Sequence, residues 1–359
     1  MRTRIKLVSG SVALTLAALA SACSVSNDSS APAGKDVTVD IAAYSGPESS
    51  LPREYPDPAR PDAGFKIGFL NPVAGNENLK AIQDAAQQRT EALGGTFIAK
   101  DDQNNVSKQI QDFNQLLAQD VDAIIVYPLD PKGLAPSLAE AADRGIPVIG
   151  YDVTTTPDAP LPDGYATQIL QGRDWNAYLQ AQAMAEAVPH GKVGVIGIAI
   201  PVPGLKFLTS RTVAYARQLG LDVVAQVDNN QGDSMAGGQE AATTVLSAHA
   251  DLDGIIAFND PTAVGASAAA RTSGRKVVIV GNNGDSSGLA AVRKGEIAAT
   301  FQNDAVGQGV QAVNAAVGLV VNPTAQLPRV IVRQPTVVVT RATVGDVKPW
   351  ARQLADLAK

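Results

Sequence analysis

Cysteine occurs once in this chain of 359 residues, histidine twice, and aromatic residues make up only 4%. A single cysteine excludes an internal disulfide. The histidines, His190 in a Pro-His-Gly turn and His249 at a helix end, offer little for a nucleophile–base pair. No nucleophile elbow, no Walker or Gly-x-Gly-x-x-Gly phosphate loop and no metal-ligand spacing is read from the sequence. No catalytic residue, metal or cofactor is therefore assigned. Net charge is −6, with no basic block after the first few residues, which argues against a nucleic-acid partner. The apolar run at residues 7–20 is short for a membrane span.

An export signature is present. Arg2, Arg4 and Lys6 precede the apolar run, and Ala20-Ser21-Ala22-Cys23 follows it. This resembles a bacterial lipoprotein signal, in which small residues precede a cysteine that becomes the lipidated mature N-terminus. The resemblance implies loss of residues 1–22 and a protein held on the outer face of the cell membrane solely by lipidated Cys23. Residues 23–64 are rich in Ser, Pro, Gly and Ala and read as a flexible tether, with 37–43 as a candidate extra strand.

From Phe65 the pattern alternates between short apolar runs and segments with helical spacing. Strands are expected at 66–70, 96–99, 123–126 and 148–151, with helices at 78–93, 106–119 and 134–144 between them. A proline-rich loop at 154–165 reads as a crossing between lobes. The unit then repeats. Helices are expected at 175–188, 208–219, 238–248, 262–273 and 289–294, and strands at 192–198, 222–226, 254–258, 277–280 and 297–302. A helix at 307–320, extended chain at 329–339 and a terminal helix within 342–359 complete the reading. The fold class is α/β, two Rossmann-like lobes with parallel sheets. Their strand-end loops would face each other across a cleft, a favoured place for a small ligand.

Polar side chains follow nearly every strand: Asn76 and Asn78, Asp102 with Asn104 and Asn105, Asp152, Asp233, Asn259, Asn282 and Asn283, then Gln302 and Asn303. Asn and Asp are also ordinary cap and turn residues, and Asp130, Asp260 and Asp304 are read in that role. Together, however, planar amides and carboxylates facing one cleft can each bond two neighbouring hydroxyls, which recognition of a buried polyol requires. Arg211 could add a planar guanidinium. Trp175, Tyr151, Phe258 and Phe301 are candidate stacking platforms, with Trp175 placed first because it opens a helix after the crossing loop, and core packing is the first reading for Phe258 and Phe301.

Several runs in order resemble the ribose-binding protein family, the periplasmic sugar-binding proteins that serve ABC importers. They are Ile67-Gly68-Phe69, Gln103-Asn104-Asn105, Asp122-Ala123-Ile124-Ile125-Val126, Gly145-Ile146-Pro147-Val148-Ile149, Gly254 to Asp260 and Val280-Gly281-Asn282-Asn283-Gly284. The resemblance implies a type I periplasmic binding protein whose lobes are joined by a three-segment hinge. Crossings are expected near 161–168, 302–304 and 327–333. The first lobe would hold 65–165 with 304–328, the second 166–303 with 329–341, and 342–359 would form a tail. The family's ligand positions map to Asn76, Asp152, Arg211, Asn259, Asn283 and Asn303 or Gln302. Asn78 and Leu79 replace an aromatic pair, Val153 an arginine and Asn283 an aspartate, which speaks against ribose itself and leaves a polyhydroxyl ligand.

The expectation is a monomeric lipid-anchored solute-binding protein. It would capture a neutral sugar or polyol and deliver it to ABC permease subunits, making and breaking no bond. A nucleoside or furanosyl signalling ligand, or a role as a ligand-presenting sensor for a receptor kinase, would share the fold. A DNA-binding repressor lacks its helix-turn-helix here, and a secreted hydrolase lacks its nucleophile and base.

Overall fold

The computed structural model describes residues 37–333 and 337–359. The signal, Cys23 and the first part of the expected tether lie outside them. From residue 65 the chain follows the alternation read from the sequence. Strand β1 (Lys66–Asn71) is buried at every position after the first, as an apolar run sandwiched between helices must be. It is followed by α1 (Glu77–Ala92), β2 (Thr96–Asp101), α2 (Val106–Ala118), β3 (Ala123–Val126), α3 (Ala135–Asp143), β4 (Val148–Tyr151) and β5 (Tyr165–Leu170). The second series runs α4 (Arg173–Ala187), β6 (Lys192–Ile198), α5 (Pro203–Gln218), β7 (Asp222–Asn229), α6 (Met235–Ala248), β8 (Gly254–Ala257) and α7 (Asp260–Thr272). It continues with β9 (Val278–Val280), α8 (Ser286–Lys294) and β10 (Ala299–Gln302). Then come α9 (Ala305–Val321), β11 (Val330–Val332), β12 (Val337–Thr340) and α10 (Trp350–Leu357).

The strands make two sheets, ordered β11-β5-β4-β3-β1-β2 and β12-β10-β9-β8-β6-β7. Every pair is parallel except β10 with β12. Polar turn residues fix where many helices begin. Asn76, Asn105, Ser234, Asn259, Asp285 and Asp304 each accept a hydrogen bond from the amide three residues on. Among the described residues, no helix is long and apolar enough to cross a membrane.

Two sequence-based boundaries move. β5 pairs with β4 and with β11, so residues 166–170 and 330–332 belong to the first sheet rather than to the second lobe. The crossings therefore lie between β5 and α4, between β10 and α9, and between β11 and β12. The apolar pattern misses β5 because Thr167 and Gln168 interrupt it. Both are buried, and Tyr55, Thr154 and the Pro328 carbonyl satisfy their side chains.

The larger correction concerns residues 37–64. They are neither a flexible tether nor a strand, but an arm laid along the crossings, with one 3-10 turn at Ile41–Ala43. Tyr44 stacks on Trp175 with ring centroids 4.4 Å apart, and its hydroxyl donates to Asp174 at 2.7 Å. Tyr55 takes Gln311 Oε1 on its amide and donates from its hydroxyl to the Gln168 carbonyl. Val332 N and Arg333 Nη1 donate to the Pro52 and Arg53 carbonyls. Between these anchors Glu48 is only 1% exposed. Helix α4 begins at Gly172, which adopts φ 67° and has no side chain to cap the helix. Glu48 supplies the cap from the arm, accepting the amides of Asp174 at 3.3 Å and Trp175 at 3.0 Å. A carboxylate suits that positive helix end. Burial nonetheless pushes its carboxyl up to about 7, with the two amides pulling the other way.

Candidate ligand-binding cleft

The loops at the carboxyl ends of the strands enclose a cavity of about 440 Å³, large enough for a monosaccharide-sized guest. The first lobe contributes the loops after β1, β2 and β3. The second contributes the loops after β6, β7, β8 and β9, and Gln171 and Arg173 enter from the first crossing. One wall is apolar, built by Ile198, Ile200, Leu205 and Phe258, and faces Leu79, Tyr127 and Leu129. Amides and charges gather around it.

Six of the polar residues singled out from sequence line this cavity: Asn76, Asn78, Asn104, Asp233, Asn259 and Asn283. Asn76 has a double role. Its Oδ1 caps α1 by accepting from Leu79 N at 3.0 Å, while its Nδ2 donates to Asp233 of the opposite lobe. Asn78 is 6% exposed, and its Nδ2 has no partner. Asn259 caps α7 by accepting from Thr262 N at 3.1 Å. Asn283 adopts φ 105°, a left-handed backbone that asparagine tolerates better than most residues. Its Oδ1 is held by Asn303 Nδ2 at 3.0 Å.

Two more lie directly behind the lining. Asn303 orients Asn283. Asp152, at φ 43°, accepts Arg173 Nε at 2.9 Å and Gln171 N at 2.8 Å. Arg173 is the guanidinium of the cavity and was not anticipated. Val153 stands where the resembled family has an arginine, and Arg173, from the start of α4, brings a guanidinium to the cavity and to Asp152. Its Nη2 also donates to Gln171 Oε1 at 2.7 Å. Burial works to lower its pKa, but Tyr127 and Asp152 outweigh burial and hold it above the usual range. A search for cations just after the first crossing could have found it.

Three expected residues are elsewhere. Arg211 donates to buried Asp174 and lies over the Tyr215 ring at 4.6 Å, outside the cavity. Trp175 is sealed between Tyr44 and Arg53, whose guanidinium lies 4.7 Å from its ring. Gln302 turns to the C-terminal tail, donating to the Lys348 carbonyl at 3.1 Å and accepting from Gln353. Tyr151 and Phe301 are core, whereas Phe258 reaches the cavity wall.

The lobes also touch at the rim farthest from the crossings. Besides Asn76 and Asp233, Glu77 Oε2 accepts from Ser286 Oγ at 2.6 Å and Ser286 N at 3.1 Å. Asp233 keeps solvent access, yet both lobes crowd it, and desolvation pushes its carboxyl up to about 6. One motif escapes the sequence reading. Residues 284–288, Gly-Asp-Ser-Ser-Gly, have the Gly-x-Ser-x-Gly spacing. Ser286 is bound to Glu77 of the opposite lobe rather than to a histidine, and His190 faces the Gly220 carbonyl.

The periplasmic binding protein domain family matches residues 67–323. The chain belongs to that family. Among relatives of this periplasmic binding protein, the ribose import binding protein RbsB of Bacillus subtilis is 23% identical over 236 residues, covering 66% of this chain and 75% of the relative. A putative rhizopine-binding protein of Rhizobium meliloti is 29% identical over 246 residues, covering 66% and 79%. An ABC transporter solute binding protein from Bacillus halodurans, solved with bound myo-inositol, superposes with a TM-score of 0.69 at 24% identity. It covers 79% of this chain and 98% of its own.

Proposed function

We propose that this protein is the solute-binding component of an ABC importer, capturing a sugar or polyol between its lobes and passing it to permease subunits. The observation that carries the reading is the cavity itself. Asn76 and Asn78 reach it from one lobe and Asn259 and Asn283 from the other, against an apolar wall suited to the C–H face of a ring. Family membership and the sugar- and polyol-binding relatives support it. The protein binds and releases its guest without catalysis or a cofactor. It is exported, monomeric, and held at the membrane through Cys23.

Titrating a panel of pentoses, hexoses and polyols while recording thermal unfolding tests the reading, because a ligand that binds only the native state raises Tm. At least one member should raise it. A flat response across the panel, together with a response to nucleosides or furanosyl signalling compounds, would reassign the ligand class. Mass spectrometry of the exported protein tests the lipid on Cys23.

A further inference from the structure

Charge around the cavity is not balanced. Asp101 and Asp233 line it from opposite lobes, beside the loop that follows β1. Asp101 Oδ1 accepts the amides of Ala74 and Gln103, each at 3.1 Å, and Asp233 Oδ2 accepts Asn76 Nδ2. Among the described residues, no protein donor reaches the second oxygen of either carboxylate.

The cations nearby are already engaged. Arg173 is paired with Asp152 at 2.9 Å. Lys108 touches the Asp101 carbonyl but pairs with Asp112 at 2.5 Å, and Lys206, against the Ile198 carbonyl, pairs with Asp228 at 2.7 Å. The other charges around Asp233 are Asp285 and, beyond it, Glu77, both acidic. The cavity therefore presents two carboxylates with no protein counterion, and for Asp233, crowded by both lobes, the charge is unfavourable until a cation meets it.

A second feature points to a guest at the same place. Asn78 and Gln171 line this cavity and are at least nine-tenths buried, and their Nδ2 and Nε2 have no hydrogen-bond partner. Buried amide donors left open in this way call for acceptors. Hydroxyl oxygens supply those acceptors, and an ammonium supplies the donors that the free carboxylate oxygens require.

We propose that the cavity contains a cation subsite formed by Asp101 and Asp233, and that its preferred guest is a polyol carrying a protonated amine. This rests on the polyol-binding reading above and extends it to the guest's charge. The raised carboxyl of Asp233 is consistent with an unpartnered anion and implies that the amine preference weakens as pH falls through about 6.

Calorimetry with matched pairs at pH 7.5 and low salt tests it: D-glucosamine with D-glucose, 1-amino-1-deoxy-sorbitol with sorbitol, and an aminodeoxyinositol with myo-inositol. At least one amine should bind tenfold or more tightly than its hydroxyl parent. N-acetylation of that amine, or Asp233→Asn combined with Asp101→Asn, should bring the ratio below about threefold. Parents that bind as tightly as their amines overturn the cation subsite while leaving the polyol reading intact. A ratio unmoved by both acetylation and substitution overturns the assignment to these carboxylates. Absence of binding by every member of every pair overturns both readings together.

Discussion

The two ends of the cleft are built in opposite ways. At the crossings, charge is buried and shared. Asp174 takes Tyr44, Tyr215 and Arg211; Asp152 takes Arg173; Asp304 takes Arg333; and Glu48 caps α4. At the rim, two contacts join the lobes through side chains that solvent reaches, Asn76 with Asp233 and Glu77 with Ser286. A hinge needs a rigid axis and an edge that separates cheaply. Buried networks supply the first, and exposed polar contacts of low net worth supply the second.

The largest effect that sharpens this contrast is Asp174→Ala. It strands two tyrosine hydroxyls and a guanidinium, and should lower unfolding free energy by about 4 kcal/mol in urea titrations. A loss under about 1 kcal/mol would show that the buried axis is not where stability resides.

Next is pH. Glu48 is pushed up to about 7 in the folded protein, while an ordinary glutamate ionises near 4.5. Between those values the native state holds more protons than the unfolded chain, so stability falls as pH rises from 4.5 through 7, by roughly 3 kcal/mol. Glu48→Gln should remove Glu48's share of that slope between pH 5 and 7.5, leaving the share of Asp102, which desolvation also pushes up to about 7. An unchanged slope would place the proton elsewhere.

Third comes a pair of conservative changes. Arg173→Lys keeps a charge but loses the fork shared among Asp152, Gln171 and Tyr127, and ligand affinity should fall about tenfold, or about 1.4 kcal/mol. Arg211→Lys, outside the cavity, should change affinity less than about twofold. Calorimetry giving the reverse order would restore the sequence-based choice of Arg211. Smallest is Glu77→Ala at the rim. Unfolding free energy should move by less than about 1 kcal/mol, whereas stopped-flow dissociation of the ligand should quicken a few-fold. A large stability loss here would erase the distinction between the two ends.

The alternation of strand and helix was legible because buried parallel strands are continuous apolar runs and because Asn, Asp and Ser mark the helix starts. β5 was not, since Thr167 and Gln168 break its pattern and are satisfied by residues distant in sequence. The arm was hidden for a related reason. Its anchors Val37, Tyr44, Glu48 and Tyr55 follow neither helical nor strand spacing, because they fit pockets that already exist. In the cleft, the asparagines were legible from their place after strands. Arg173 and Arg211 were confused because position after a strand does not reveal which carboxylate claims a guanidinium. Asp174, 37 residues before Arg211, claims one, and Asp152 turns the other into part of the cavity wall.

The arm also shortens the leash. Val37 is already seated against the second lobe, and Thr38 N donates to Glu186 of α4. With lipid on Cys23, as proposed, the stretch from 24 to 36 spans at most about 45 Å when fully extended, against the far longer reach of a tether running to residue 64. Its point of attachment is the last turn of α4, at the end of that helix away from the crossing. The second lobe would therefore be held close to the bilayer, and loading and docking become matters of orientation rather than of distance.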